Sequence, residues 1–311
     1  MRTLICGSLA YDTIMVFPDR FARHILPDQT HMLSVSFQIG EMRREWGGCA
    51  GNIAYNLRGL GGEPVVMAAL GHDGAPYRER FADLGIATDG VRTIDETFTA
   101  QAFIITDLDD NQITAFHPGA MNHSHVNHVA DVTGVRLGII APDGKEGMMA
   151  HVREFGEAGI PFVFDPGQGL PLFDGKELSA MIERAAYLTV NDYEAKLLCE
   201  RTGLDLSALA ERVQALIVTL GAEGSVIHAD GATYAIPAVK PQAVVDPTGC
   251  GDAYRAGLLY GIAQGWDWQR TGQLASVMGA LKIASRGGQN HTVDRGTVAA
   301  LYTKAFGEVP F

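Results

Sequence analysis

Asp246-Pro-Thr-Gly-Cys-Gly-Asp252, followed at once by Ala253-Tyr-Arg-Ala-Gly257, sets two glycines around a small residue, then an aspartate, then a helix of small residues. Consecutive backbone N–H groups at such a turn converge on an anion, and the helix N-terminus adds positive potential. A carboxylate here would be repelled by a bound phosphate. That cost is tolerable where the carboxylate serves as a base beside a phosphoryl group. Taken alone, the stretch reads equally well as a glycine turn capping an ordinary helix.

Outward from it, short apolar runs alternate with helical patterns. The runs are Thr3–Cys6, Val65–Leu70, Leu137–Ala141, Pro161–Phe164, Tyr187–Val190 and Leu216–Leu220. They lack period-2 polarity, which suits strands buried on both faces of a parallel sheet. Helices are predicted over Asn52–Leu60, Gly147–Ala158, Lys176–Ala185, Tyr193–Thr202, Leu206–Ala215, Ala253–Gln264, Trp268–Ser285 and Asp294–Phe306. The fold class is therefore α/β, a doubly wound three-layer sheet with right-handed crossovers. Two regions break the rhythm: 11–46 and 97–117 alternate like strands, with a turn at Asp107-Leu-Asp-Asp-Asn-Gln112. They predict a small β-sheet lid inserted in a single domain spanning 1–311.

The 311 residues are 47% hydrophobic and 19% charged, as in an ordinary globular enzyme. A net charge of −12, from 24 basic and 36 acidic residues, argues against a nucleic-acid surface. No apolar run suits a membrane span, and Met1–Gly7 lacks the longer apolar core of a leader. Cys6, Cys49, Cys199 and Cys250 are scattered, which predicts reduced thiols and a cytoplasmic protein.

The polar residues of interest cluster just past the C-terminal ends of the predicted strands, where ligands bind in open α/β sheets. Ser8 and Asp12 follow the first strand, Asp165 follows Phe164, Asn191 follows Val190, and Thr219 with Gly221 closes the sixth. Gly47-Gly48-Cys-Ala-Gly51-Asn52 opens a helix, with Asn52 able to donate and accept. Asp12 is either a solvated loop aspartate, the commoner case for such a residue alone, or a carboxylate able to grip a vicinal diol. Asn191 and Glu194, three apart at a helix entry, can orient water around Mg²⁺ or simply cap the helix. Thr219-Leu-Gly221-Ala-Glu-Gly224 is either a hairpin or a phosphate contact, and Arg286-Gly-Gly-Gln-Asn-His291 is a polar loop able to border a base. No G-x-x-x-x-G-K-[ST], no G-x-G-x-x-G after the first strand and no G-x-S-x-G is present. His123, His125 and His128 have no carboxylate or cysteine partner in sequence and read as a solvated loop.

These motifs, in this order and across the chain, resemble the ribokinase-like (PfkB) carbohydrate and nucleoside kinases. Gly7-Ser-Leu-Ala-Tyr-Asp12, Leu33-Ser-Val-Ser-Phe37, Phe116-His-Pro-Gly-Ala-Met121 and Asn191-Asp-Tyr-Glu194 look most like bacterial adenosine kinases. The resemblance implies Asp252 as the base and the amides of Gly249, Cys250 and Gly251 as the anion hole. Ser8, Asp12, Gly48, Asn52, Phe116 and Gln168 would bind substrate. Asn191, Glu194, Thr219, Gly221 and Gly224 would attend ATP, Glu194 holding Mg²⁺ through water. ATP and Mg²⁺ are the implied cofactors, with K⁺ left open. The implied reaction is phosphorylation of a ribonucleoside 5′-hydroxyl, adenosine first, with a ribokinase- or fructokinase-type sugar kinase as the alternative. A nucleotide-responsive binding protein on the same fold would lack the base, and Asp252 is present. Cys250 stands where Ala or Val is usual and suggests sensitivity to thiol reagents. Pro247 stands where many members have Thr. Ala102 stands where relatives can carry an aromatic residue, leaving Phe116 and Phe103 as candidate base platforms. Phe17, Phe21, Val35 and Phe37 are expected to be exposed on the lid and to need a cover, which a homodimer through the lid would supply.

Overall fold

The structure is a computed structural model and describes residues 1–25, 34–109 and 111–311. Strand β1 (Arg2–Cys6) leads into β2 (Ala10–Val16); β3 (Glu41–Gly47) then precedes helix α1 (Cys49–Gly59). Next come β4 (Glu63–Gly71), α2 (Ala75–Leu84), β5 (Ala87–Ile94), β6 (Ala100–Thr106) and β7 (Gln112–His117). The middle of the chain supplies β8 (Val135–Ile140), α3 (Lys145–Ala158), β9 (Phe162–Phe164), α4 (Gly175–Ile182) and β10 (Tyr187–Asn191). It continues through α5 (Asp192–Thr202), α6 (Leu206–Ala210), β11 (Ala215–Thr219), β12 (Ser225–Ala229) and β13 (Ala232–Ile236). Three helices finish it: α7 (Cys250–Gln264), α8 (Trp268–Ile283) and α9 (Arg295–Phe306).

Among the described residues, nine strands form one sheet in the order β13-β12-β11-β10-β9-β8-β1-β4-β5. From β5 to β11 every pairing is parallel, and β12 and β13 add an antiparallel hairpin at one edge. The apolar runs form these strands because both faces are covered. Ile5, Val66, Ile139 and Val163 pack with α1, α7 and α8 on one side. Leu4, Cys6, Phe162, Phe164 and Leu188 pack with α3, α4 and α5 on the other. Each fully buried Ile, Leu or Phe contributes about 1.5–3 kcal/mol. The chain leaves β1 toward β4 on one flank and returns to β8 on the other, so the crevice past the ends of β1 and β8 is a topological switch point.

The second sheet is the lid, in the order β3-β2-β6-β7. Its register aligns Glu45, Asp12, Ala102 and Phe116 in one row across all four strands. Leu33, within one of the stretches quoted above, lies outside the described residues, as does the rest of 26–33. Phe17 and Phe21 are buried, and Phe17, Phe21 and Phe37 pack on one another at centroid distances of 4.8–5.8 Å. They cover themselves. Among the described residues, the exposed large apolar side chains on the lid strands are instead Met42, Phe103, Ile113 and Phe116.

Sequence reading missed α2, β5 and β13. Helix α2 carries charges at Arg78, Glu79, Arg80 and Asp83, which blur its apolar face, and β5 is an edge strand exposed on several positions. The helix expected over Leu206–Ala215 ends at Ala210, because Ala215 already belongs to β11.

Candidate active site

Two helices open on the crevice from glycines at positive φ: Gly48 caps α1 at 86° and Gly249 caps α7 at 77°. A side chain there would strain the backbone, so these turns demand glycine. Ser8, at the end of β1, holds the α1 turn in place: its Oγ accepts from the Cys49 amide at 3.1 Å and its carbonyl from Ala50 at 3.0 Å.

Asn52, buried in the first turn of α1, donates from Nδ2 to Oδ2 of Asp252 at 2.8 Å. The two residues are 200 apart in sequence. Asn52 Oδ1 accepts from Gln289 Nε2 at 3.2 Å, and Gln289 in turn binds the hydroxyl of Tyr77 at 2.8 Å and is held by Arg80. The Asn52 amide is thus fixed with its N–H₂ toward the carboxylate. Burial raises the Asp252 carboxyl to about 6; the Asn52 bond and Arg255 oppose the rise, while Asp165 and Asp12 add to it. A carboxylate that titrates near 6 is ionised at neutral pH and basic enough to receive a hydroxyl proton.

The first helical amides of α7 have no intrahelical acceptor. Cys250 N is already engaged, donating to Pro247 O at 3.1 Å. The amides of Gly249, Gly251 and Asp252 make no hydrogen bond outside the helix among the described residues, and Gly251 is exposed to the crevice. At this turn the Gly249, Gly251 and Asp252 amides therefore remain available to an anion, while the Cys250 amide, also expected there, is engaged by Pro247 O. The Cys250 thiol is pushed up by burial, and burial pushes the Cys49 thiol far above its usual value. Burial thus disfavours the thiolate at both cysteines.

Asp12 leans from β2 over the Cα of Gly47, where any Cβ would collide with its carboxylate. Burial, then the charges of Glu45 and Asp246, push its carboxyl up to about 6. Two strands away in the same row stands Phe116, 52% exposed, with only the methyl of Ala102 between them. Phe103 pairs with Thr13 and Ala115 and so faces the opposite side of the lid, which removes it as a base platform. Gln168, in the turn after β9, is exposed, with Nε2 at 3.9 Å from the Cys49 sulfur.

Asn191 and Glu194 form a reciprocal cap on α5: Asn191 Oδ1 accepts from Glu194 N, and Glu194 Oε2 from Asn191 N, both at 2.8 Å. The cap coexists with proximity to the site, since Glu194 is raised by burial and by the charge of Asp165. Thr219, Gly221 and Gly224 line a cavity of about 580 Å³ whose floor includes Cys250 and Gly251 and whose walls are apolar, among them Val239, Val244 and Ile283. Thr219, Gly221 and Gly224 thus share one cavity with Cys250 and Gly251 of the α7 turn, while Asn191 and Glu194 do not line it.

Sequence reading overlooked two charged groups here. Arg255, four residues along α7 from Gly251, grips Asp165 with Nε and Nη2 at 2.8 and 3.0 Å, both side chains buried. Lys282, at the end of α8, is fully buried. The available signal was a cation set among apolar and small residues, Arg255 in Ala253–Tyr260 and Lys282 in Ala280–Ala284. No group of three or more His, Cys, Asp or Glu among the described residues is arranged to hold a metal. None of the described helices is long and apolar enough to cross a membrane.

The sequence profile described as pfkB family carbohydrate kinase matches residues 9–295. The chain belongs to the pfkB family. As a member it is a phosphotransferase acting on a hydroxyl acceptor. The nucleoside kinase of Methanocaldococcus jannaschii is 31% identical over 260 residues, covering 83% of this chain and 85% of that protein. The Burkholderia thailandensis nucleoside kinase, solved in complex with inosine, superposes with a TM-score of 0.90 at 54% identity, covering 99% of both chains. The same enzyme with ADP-inosine gives 0.88 at 55% identity, covering 99% of this chain and 97% of the other. The large mixed sheet and four-stranded lid are those of the ribokinase-like fold.

Proposed function

We propose that this pfkB-family chain phosphorylates the 5′-hydroxyl of a ribonucleoside with ATP, converting adenosine to AMP. The observation that carries the reading is the lid row. A buried carboxylate for a vicinal diol, Asp12, and an exposed flat ring for a base, Phe116, share one face with only Ala102 between them. A free sugar needs the first group and not the second. The inosine bound to the Burkholderia thailandensis relative favours a purine ribonucleoside.

With the nucleoside on that face, Asp252 accepts the proton of the attacking hydroxyl while Asn52 holds the carboxylate in line. The amides at the start of α7 receive the negative charge of the group in transfer, and positioning with charge neutralisation carries most of the rate. Closure of the lid would exclude water and suppress ATP hydrolysis. The apolar cavity beside Thr219 suits the base and ribose of ATP. Mg²⁺ keeps most of its waters and asks for one or two carboxylates. Glu194, with one oxygen in the α5 cap and its ionised form opposed by burial and Asp165, fits that demand, and the ion would neutralise phosphate charge there.

The reading includes one functional unit over 1–311, a cytoplasmic setting in keeping with four free cysteines, and a homodimer through the lid. Support for the dimer comes from the lid face opposite Asp12, where Met42, Phe103 and Ile113 are exposed together. The deciding experiment is one ATP-coupled assay with adenosine, inosine, guanosine, ribose and fructose, run in Na⁺ and K⁺ salts. Purine nucleosides are expected to exceed both sugars in kcat/KM; ribose or fructose ahead of every nucleoside overturns the reading. A monomer by sedimentation at micromolar concentration overturns the dimer.

A further inference from the structure

Lys282 has no exposed surface and no carboxylate within ion-pair distance among the described residues. Its ammonium donates to two backbone carbonyls, Asp246 O at 2.8 Å and Ser285 O at 3.0 Å. Asp246 opens the turn that ends at the N-terminus of α7, and Ser285 lies just past the end of α8. The same two segments are bound elsewhere as well. Asp246 Oδ2 accepts from Gly287 N at 2.8 Å, and the amides of Val245 and Asp246 donate to Ile283 O. The lysine stem runs beneath the turn: its Cε lies 3.7 Å from where a Cβ on Gly249 would sit. The ammonium is thus a cation built into the contact between the anion-hole turn and α8.

A buried ammonium without a counter-ion is unfavourable by several kcal/mol, and two carbonyls offset only part of that. The negative end of the α8 dipole helps. Burial lowers the lysine pKa, opposed by Cys250, Asp246 and Asp252. The carboxylates of Asp246 and Asp252 act on the ammonium only through space, and the neighbouring amides of Gly249, Gly251 and Asp252, which make no hydrogen bond outside the helix among the described residues, can receive an anion. A buried positive charge beside that turn interacts more strongly with a phosphoryl group carrying several negative charges than with the resting protein, so it contributes more to the bound and reacting states.

We propose that Lys282 is the internal cation of the phosphoryl site, a positioning residue that clamps the Asp246–Gly249 turn to α8 and sets a positive charge behind the anion hole. The inference rests on the phosphotransfer reading above and adds to it a residue that touches neither substrate. Its action runs through the turn and through the field, so its loss falls on turnover more than on nucleoside binding.

The test compares wild type with Lys282→Met, which keeps the stem and removes the charge, and Lys282→Ala, which leaves a carbonyl-lined space. Wild-type activity is measured first. If wild type transfers phosphate to no hydroxyl acceptor, the phosphotransfer reading fails and this inference falls with it. If wild type is active, Lys282→Met is expected to fold with a Tm equal to or above wild type. Its kcat should fall by about 10²-fold, the scale of one lost oxyanion donor, with the nucleoside KM within about threefold. Lys282→Ala is expected to recover at least tenfold in kcat with ammonium or methylamine and not with tetramethylammonium at equal ionic strength. Wild-type turnover in Lys282→Met overturns the inference while leaving the kinase reading intact. So does a low-Tm variant that loses nucleoside binding and kcat together and gains nothing from small amines, because that pattern belongs to a purely structural lysine.

Discussion

Asp252→Asn separates the chemical role of the carboxylate from its cost to the fold. Asn is nearly isosteric, and its carbonyl can still accept from Asn52 Nδ2, which now sits 2.8 Å from Asp252 Oδ2. The base is gone, so kcat should fall by about 10²–10⁴-fold, while nucleoside binding, followed by its thermal shift, largely survives. Stability should move the other way. Burial raises the carboxyl from 3.8 to about 6, so between those values the native state holds more protons than the unfolded state. The stabilisation that this protonation gives is complete below pH 4 and lost as pH rises through 6. Asn never ionises and escapes the loss. Two units at 1.36 kcal/mol each amount to roughly 2–3 kcal/mol in favour of the variant above pH 6. With an unfolding entropy of about 2.1 cal/mol/K per residue, the gain in Tm is about 3–5 °C at pH 7.5 and vanishes near pH 4. Scanning calorimetry of both proteins from pH 4 to 8, beside a coupled kinase assay, measures both effects. Turnover within threefold of wild type would refute Asp252 as the base. A Tm difference that stays flat with pH would refute the burial argument.

Other outcomes follow from the same geometry. The kcat/KM profile should rise with pH and level off above about 6, because Asp12 and Asp252 are both raised to that region and both act ionised; the inflection belongs to the interacting pair. An acid-side limb centred below pH 5 would contradict this. Phe116→Ala should raise the nucleoside KM by about tenfold, from a stacking contribution of about 1–3 kcal/mol, with any residual turnover of free ribose unchanged. Equal losses on ribose and adenosine would rule out stacking. Arg255→Met strands Asp165 as a buried unpaired carboxylate and should lower stability by about 3–5 kcal/mol in urea unfolding, with Asp165→Asn added to the variant recovering part of it. No recovery in the double variant would show that the two residues are not coupled.

The main sheet was legible because strands covered on both faces cannot tolerate polar side chains, so Thr3–Cys6 and Leu216–Leu220 advertise themselves. The lid strands showed through alternation, and the α7 turn through its glycines, because positive φ at Gly249 leaves the sequence little choice. Edge and surface elements hid for the converse reason: α2 and β5 meet water on one side and accept charges there.

The order of residues along the chain specified the local chemistry: which turn could cradle an anion, which carboxylates stood past strand ends, and which class of fold would carry them. The tertiary structure decided how those pieces act on one another. Asn52 reaches Asp252 across 200 residues and Arg255 reaches Asp165 across 90, and no periodicity within either segment specifies the meeting. It also decided that Phe116 rather than Phe103 shares a face with Asp12, a matter of strand register in which one residue of slip would exchange them. Burial was its last contribution. A carboxylate that would titrate near 4 in water titrates near 6 here because the packed protein around it withholds solvent, and a chain written in one dimension does not carry that quantity.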